Sequence, residues 1–248
     1  LMLVAGLFIL LLASSYRFTI RPDMFSVLFL ALFVFILKQK KQHIFILPLL
    51  QIIWTNMHGF FFLGPFIIFV FAITASKMPR VLPVVLMQYL PVVRPRASGD
   101  PKGRPLTEKQ KRLWLIFLLS ITATLLNPQF LSGALYPLAT VFNTTKDRFI
   151  FGFVNELTPP LTLKTAFTFK DWIFLKALII ISVFSFRFNQ KKFNITFFLV
   201  WLLFLLFALC AVRNIIYFAT IATIIILANV NERLSYDASL SPKVFSKD

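Results

Sequence analysis

Polar and ionisable side chains stand at the ends of long apolar runs, and their types are those that bind charged groups or move protons. Some open or close a run, and others lie in the segment between two runs. Ionisable groups at membrane depth are energetically costly, and they are usually retained for function or for pairing. If the runs cross a membrane, these side chains gather toward one of its faces. They are Arg21, Asp23, Asn56, His58, Asn127, Asp147, Arg148, Glu156, Asp171, Arg213 and Asn214.

Several of these positions also have a simple structural explanation. Arg21-Pro22 is typical of a helix start, because Pro suits the first turn and Arg can extend to lipid head groups. His58-Gly59 is compatible with a tight turn between helices, and Glu156 with a rigid, proline-rich loop. Arg213-Asn214 is harder to explain in this way, because it joins two long apolar runs without the usual turn residues.

Familiar catalytic motifs are absent from the sequence. There is no glycine-rich phosphate loop, no His-Glu-x-x-His pair and no Gly-x-Ser-x-Gly elbow. The single cysteine, Cys210, excludes a disulfide within the chain and a metal site built from cysteines. The motifs therefore predict no cofactor, and they leave a divalent metal ion open.

The composition predicts a membrane protein. The 248 residues are 58% hydrophobic and 14% charged, and 32 of them are Phe. A soluble domain is about half apolar and about a quarter charged. Helices are the economical way to cross lipid, because each helix satisfies its own backbone hydrogen bonds. We therefore predict an all-α, polytopic integral membrane helix bundle.

Eight apolar runs are separated by polar or basic segments. Several contain only 14 to 16 residues, fewer than the ~20 of a standard span, so we predict about eight short transmembrane or re-entrant helices. The stretch 44–75 is broken at 56–59, which indicates two short crossings or a re-entrant hairpin. Asn127-Pro128 is typical of a helix stop. The runs are 1–13, 24–37, 44–55, 60–75, 113–126, 172–186, 193–210 and 215–230.

The basic residues indicate the orientation. If all eight runs cross, 18 Lys and Arg fall on one side and seven on the other. The lysine- and arginine-rich side of a membrane protein is cytoplasmic, so the polar residues described above would lie at the outer face. This asymmetry explains the net charge of +17 better than a nucleic-acid partner does, and we predict none.

The runs and charges predict three kinds of segment. Residues 1–234 form the helix bundle, with a basic cytoplasmic loop at 77–112 and an ordered outer loop at 127–171. Residues 235–248 are predicted to be a disordered tail. The run 1–13 is too short for a span, and we interpret it as the back half of a helix whose start is missing, with a signal-peptide core as the alternative. No internal repeat is visible.

A series of short blocks resembles a known family. Arg21-Pro22 is followed by LPLLQIIWTNMHG at 47–59, by LNP at 126–128, by ELTPP at 156–160 and by AVRN at 211–214. This order resembles bacterial multi-spanning proteins of the GT-C glycosyltransferase superfamily, related to the dolichyl-phosphate-mannose protein mannosyltransferases. The Trp-x-Asn-x-His-Gly block at 54–59 is the most specific part. The resemblance covers residues from about 17 to about 233.

The resemblance implies transfer of a sugar from a polyprenyl-phosphate-linked donor at the outer face of a bacterial inner membrane, with the bilayer and the donor as partners. It implies a catalytic acid in a first outer loop, which would precede this sequence, so the chain alone is expected to be inactive. The family pattern also has Trp after the acid corresponding to Glu156, where this chain has Leu157.

The resemblance also assigns roles to the polar residues. The donor phosphate needs cations near the outer head groups, and arginine suits phosphate because its planar fork donates two hydrogen bonds. An acceptor hydroxyl or amide needs a base, normally a carboxylate. Phosphate or substrate binding is expected at Arg21, Asn56, Arg213 and Asn214, and the remaining base candidates are His58, Glu156 and Asp147.

Two other functions remain open from the sequence. A transporter or flippase would place polar residues near the middle of the membrane and often contains a repeat between its halves, and neither feature is visible. A non-catalytic membrane scaffold would keep its function when Arg213 or His58 is replaced by Ala. The glycosyltransferase hypothesis therefore comes first.

Overall fold

All regular structure in the described part of the chain is helical. The computed structural model describes residues 12, 22–39, 43–75, 107–146, 154–162 and 172–240. The prediction of an all-α chain is confirmed for these ranges. Their α-helices are α1 (Asp23–Lys38), α2 (Ile46–Met57), α3 (Leu63–Ala75), α4 (Glu108–Ala123), α5 (Phe130–Lys146), α6 (Ile173–Phe188), α7 (Ile195–Cys210) and α8 (Ile215–Leu240).

The apolar runs correspond to helices. Each run from 24–37 onward contains most of one helix, and these helices are α1 to α4 and α6 to α8. The run 1–13 lies outside the described residues except for Leu12. Most of the predicted basic loop 77–112 also lies outside them. Its described end, 107–112, starts α4, because Thr107 and Gln110 form a reciprocal capping box.

Helix α5 was not predicted, and the expectation of a loop over 127–171 is wrong for Phe130–Lys146. Pro137 lies inside this helix, and an internal proline normally argues against one. The predicted helix stop at Asn127-Pro128 is confirmed. Asn127 Nδ2 donates to the carbonyl oxygen of Thr124 at 2.8 Å, and its Oδ1 accepts the N–H of Gln129 at 2.8 Å.

The predicted disordered tail is wrong over 235–240, because α8 continues to Leu240. Arg233 Nε lies 2.9 Å from Asp237 Oδ2, one helical turn away. The ammonium groups of Lys191 and Lys192 lie 5.5 and 5.0 Å from the centroid of the Tyr236 ring. Such charge pairs and cation–π contacts favour continuation of a polar helix end. Residues 241–248 lie outside the described residues.

The predicted break in 44–75 is confirmed, and the chain reverses there. His58 ends α2 with extended backbone (φ −158°, ψ 144°), and a 3-10 turn over Gly59–Phe62 leads into α3. Gln51 Nε2 donates to the carbonyl oxygen of Phe61 at 3.0 Å, so the two helices fold back on each other. The sequence left two crossings or a re-entrant hairpin open, and the geometry of the reversal fits both.

A second break has nearly the same geometry. Ala211 ends α7 with φ −158° and ψ 142°, and a 3-10 turn over Val212–Asn214 leads into α8. Each break therefore has one extended residue between a helix and a 3-10 turn. The apolar runs on either side of each break form helices, and the break interrupts them without proline.

Contacts between helices define two ends of the bundle. At one end, which we call the basic end, Lys38 Nζ lies 5.8 Å from the centroid of the Phe197 ring and Thr196 Oγ1 lies 2.8 Å from Thr74 Oγ1. The breaks at His58 and Ala211 lie at the opposite end, which we call the break end. The alternating helix directions therefore place the helix ends in two separate layers.

Apolar side chains fill the interior and also cover much of the outside. The largest fully buried side chains include Trp54, Phe33, Tyr217 and Phe218. Large apolar side chains are also exposed on the outward faces of the helices, among them Phe35, Leu138, Phe142 and Phe184. Exposed apolar surface of this extent marks contact with a membrane or with another protein.

One helix in the described ranges is long and apolar enough to cross a membrane. It runs over Val212–Asp237, counting the 3-10 turn before α8, and contains 26 residues. Three further apolar helices, Ile46–Met57, Gly59–Ala75 and Ile195–Cys210, are shorter. The structure thus shows a helical chain, and the prediction of about eight crossings remains a prediction.

Gly64 is predicted to be essential for the closure of the α2–α3 hairpin. A Cβ atom at this position would lie 2.2 Å from Gln51 Oε1 and 2.9 Å from Phe33 Cε1. Gly64→Ala should therefore lower the free energy of unfolding by about 1–3 kcal/mol, through overpacking. Unfolding in detergent followed by circular dichroism measures it.

Gly59→Ala is the matched control, because a Cβ there meets the side chain of Tyr136 at 3.2 Å and can displace it. We expect a change of less than about 0.5 kcal/mol. Equal stability of the two variants would contradict the close packing at Gly64.

Candidate functional site

The two helix breaks lie side by side at the break end. Phe60 lies two positions after the extended residue His58, and Arg213 lies two positions after Ala211. These two residues are in contact, because the guanidinium carbon of Arg213 lies 5.3 Å from the centroid of the Phe60 ring. This distance is typical of a cation–π contact. The Phe60 ring also lies 5.3 Å from the His58 ring, between centroids. Phe60 thus contacts both His58 and Arg213.

His58 forms an ion-pair contact with the start of α1. Its Nε2 lies 2.9 Å from Asp23 Oδ1, and the side chains of His58 and Asp23 are 16% and 18% exposed. Its Nδ1 lies 2.7 Å from Ser26 Oγ. Both ring nitrogens therefore have partners on α1, and the break after α2 is joined to the first turn of α1.

Trp54 completes this group from inside the bundle. Its Nε1–H donates to Ser26 Oγ at 2.8 Å, and both residues are 0% exposed. The indole is stacked on Phe29, with 5.5 Å between centroids and 15° between planes, and Phe33 contacts it edge-on. The indole is therefore held on several sides by α1. We call Asp23, Ser26, Trp54 and His58 the Asp–His group.

Arg213 has a buried donor that needs an acceptor. Its Nε is buried and has no hydrogen-bond partner within the described part of the chain. A buried, unsatisfied donor costs about 1–3 kcal/mol, and more when the group is charged. The guanidinium, which contacts the Phe60 ring, therefore favours an anionic ligand.

The segment that carries Glu156 lies beside Arg213. Glu156 belongs to the 3-10 turn Asn155–Leu157, and Val212 N–H donates to the carbonyl oxygen of Thr158 at 2.9 Å. This backbone hydrogen bond joins the two turns. The structure therefore brings the segments of Glu156 and Arg213 together at the break end.

The two asparagines make structural hydrogen bonds. Asn56 Nδ2 donates to the carbonyl oxygens of Ile52 and Leu126, each at 2.8 Å, so both amide hydrogens are used. Asn214 is 4% exposed, and its Nδ2 donates to the carbonyl oxygen of Phe207 at 2.9 Å. Their amides hold the ends of α2, α4 and α7 in place, which does not favour the predicted role in phosphate binding.

The other predicted site residues divide into two groups. His58 and Arg213 are brought together through Phe60, and Glu156 lies on the adjoining segment. Arg21 and Asp147 lie outside the described residues. Within the described ranges, no group of three or more His, Cys, Asp and Glu side chains is arranged to hold a metal ion. The open question of a divalent metal is therefore not answered by these ranges.

Sequence reasoning missed Ser26 and Phe60 as members of the site. It placed Asp23 at the same face as His58, and Trp54 in the most specific block, but it gave neither a role in the site. One signal was present, because Asp23 and Ser26 have i, i+3 spacing and Trp54 and His58 have i, i+4 spacing. Side chains at these spacings lie on the same face of a helix. Nothing in the sequence indicated that these two faces would meet.

Comparison with protein-family models, curated proteins and solved structures finds no match to this chain. The chemistry of the site is therefore argued from its own residues. It combines a carboxylate held by an imidazole with a guanidinium, and the imidazole and the guanidinium contact the same aromatic ring. Such a pair of charges can bind an anion at one point and accept a hydrogen bond at another.

The losses of stability from Ser26→Ala and from Trp54→Phe are predicted to be non-additive. Ser26→Ala leaves the buried Trp54 N–H without its acceptor and should lower the free energy of unfolding by about 1–3 kcal/mol, and Trp54→Phe lowers it through lost buried volume. The double substitution removes donor and acceptor together, so its loss should be smaller than the sum of the two single losses. Detergent unfolding curves measure both, and an additive loss in the double variant would contradict a bond between the two side chains.

Proposed function

We propose that this chain is a membrane glycosyltransferase-like protein that transfers a sugar from a polyprenyl-phosphate-linked donor at the outer face of a bacterial inner membrane. One observation supports this most directly. The buried Nε of Arg213 has no acceptor in the described chain, and it lies one aromatic ring from the Asp–His group. An anionic substrate that also carries hydroxyl groups matches these two features.

The distribution of charge supports the orientation. Helix directions place most basic residues of the described ranges at the basic end, whereas Arg213 lies at the break end. This arrangement agrees with a cytoplasmic basic end. The short helices fit a bundle in a locally thinned bilayer. The basic-end residues are Lys38, Lys109, Lys111, Arg112, Arg187, Lys191, Lys192 and Arg233.

The block that carries the family resemblance also builds the break end. Trp54 donates to Ser26 on α1, Asn56 donates to the carbonyl of Leu126 after α4, and His58 pairs with Asp23. Trp54 and His58 therefore join α2 to the first turn of α1, and Asn56 joins it to the segment after α4.

The chemistry of the donor supports the assignment of Arg213. A guanidinium can donate two parallel hydrogen bonds to phosphate oxygens, and charge-assisted bonds are roughly twice as strong as neutral ones. The ring contact with Phe60 leaves the guanidinium edge available for such bonds. Phosphate in the donor would supply the acceptor that the Nε lacks.

Arg213→Gln is predicted to weaken binding of a polyprenyl-phosphate sugar. Loss of a charge-assisted hydrogen bond costs about 1.5–3 kcal/mol, which corresponds to about a 10- to 100-fold higher Kd. Purified protein in nanodiscs and a fluorescent polyprenyl-phosphate hexose allow Kd to be measured.

Arg187→Gln is the matched control for this measurement. Arg187 is also an arginine at the end of an apolar helix, but it is exposed and lies in the last turn of α6, at the basic end. It should bind the donor as the unaltered protein does. Equal affinity of the Arg213 variant would remove Arg213 from the site, and absence of donor binding in all three proteins would support a scaffold.

Sidedness is predicted from the two ends of the bundle. In a Cys210→Ser background, Asn155→Cys places a thiol on the exposed turn at the break end and Lys191→Cys places one at the basic end. A membrane-impermeant maleimide should label the first variant on intact spheroplasts, and the second only after permeabilisation. The opposite pattern would place the site on the cytoplasmic side and overturn the proposed function.

A further inference from the structure

The Asp–His group has a definite hydrogen-bond direction. Tryptophan Nε1–H can only donate, so Ser26 Oγ accepts from Trp54. The hydroxyl hydrogen of Ser26 is then available for His58 Nδ1, which lies 2.7 Å from Ser26 Oγ. A hydroxyl can accept and donate at once, and a neutral imidazole has one nitrogen of each kind.

The carboxylate of Asp23 selects one tautomer of a neutral His58, because a carboxylate can only accept and Nε2 is the ring nitrogen that faces it. When Nδ1 accepts from Ser26, the ring hydrogen lies on Nε2, which faces Asp23 Oδ1 at 2.9 Å. The hydrogen bonds therefore run from Trp54 through Ser26 and His58 to the carboxylate. Both nitrogens of His58 are used in this arrangement, so His58 itself is not placed to accept a proton from a substrate.

We infer that Asp23 is the carboxylate that binds and deprotonates the acceptor hydroxyl, and that Trp54, Ser26 and His58 are positioning residues for it. This inference rests on the proposed function, and it places the base at the start of α1 instead of in the preceding outer loop that the family resemblance implies. The side chain of Asp23 keeps 18% of its surface exposed, whereas Trp54 and Ser26 are fully buried. His58 is 16% exposed, but both of its ring nitrogens are occupied. Asp23 is therefore the partly exposed member at the break end whose group can accept a proton, because a carboxylate has about four lone-pair sites.

The chemical step assigned to Asp23 is a single displacement. The acceptor oxygen attacks C1 of the sugar, and its proton passes to the Asp23 carboxylate. The bond between C1 and the phosphate oxygen breaks, and the polyprenyl phosphate leaves with the bonding electrons. Arg213 faces the charge that remains on the phosphate. No oxidant, reductant or further reactant is required.

The tautomer can be observed without any substrate. The chain has two histidines, His43 and His58, so ¹⁵N-histidine labelling gives two ring systems and His43→Gln identifies that of His58. We expect Nε2 of His58 to carry the hydrogen and Nδ1 to show the shift of an acceptor nitrogen. Trp54→Phe, which keeps an aromatic ring, should raise the fraction with hydrogen on Nδ1.

Trp201→Phe is the matched control for the spectra. Trp201 Nε1–H donates to Ser182 Oγ at 2.8 Å, the same type and length of bond as in the Trp54 pair. This substitution should leave the His58 signals unchanged. A hydrogen on Nδ1 in the unaltered protein, or an equal response to the two Trp substitutions, would overturn the direction assigned to the Asp–His group.

The role of Asp23 is tested by transfer and binding together, in the full-length protein in membranes. Asp23→Asn should lower the transfer rate by about 100-fold or more, the range for a lost general base. Donor affinity should change by less than about threefold, since Arg213 holds the phosphate. Trp54→Phe should lower the transfer rate by a smaller factor than Asp23→Asn does, with donor affinity kept.

The two levels of the hypothesis fail in different ways. If the unaltered protein does not bind the donor, the proposed function fails, and the assignment of Asp23 as a base fails with it. If the donor binds and Asp23→Asn transfers sugar at the unaltered rate, only the inference about Asp23 fails. A loss of donor affinity as large as that of Arg213→Gln would make Asp23 a binding residue and would also overturn its role as base.

Discussion

The hydrogen bond from Trp54 to Ser26 is the contact on which the break end depends. It is buried and 2.8 Å long, and its donor is a side chain that cannot accept. It leaves the hydroxyl hydrogen of Ser26 available for His58 Nδ1, and the other ring nitrogen of His58 faces Asp23. Because an unsatisfied polar group in an apolar interior costs several kcal/mol, each member of the Asp–His group constrains the next. The reversal of the chain after α2 is held to α1 in this way.

A second constraint is the pairing of two similar helix breaks. Each break frees backbone groups, and in lipid such groups are tolerated where protein or a cavity surrounds them. Here each break is covered by the other, through the contact of Phe60 with Arg213, and by the turn around Glu156. The break end is thus the place where polar groups are concentrated. A ligand with a phosphate group would satisfy the Arg213 Nε donor, for which the described ranges supply no acceptor.

The departures from the predictions have physical causes. The helix α5 was missed because Pro137 and several polar residues weaken the apolar pattern, although Asn127 caps the junction that starts it. The end of α8 was missed because charged residues were taken as a sign of disorder, whereas Arg233, Asp237 and Tyr236 make side-chain contacts there. In both regions, local side-chain contacts stabilise a helix that has no clear apolar pattern.

The sequence by itself determined the helical class, the positions of the long apolar helices, the two breaks and the separation of basic residues from His58 and Arg213. These features follow from local composition and spacing, which act within a few turns of helix. Only the tertiary structure decided that Ser26 meets His58 across 32 positions and Trp54 across 28, and that Phe60 meets Arg213. Contacts between distant residues depend on which helices pack and at what height, and the local pattern of apolar residues leaves both open.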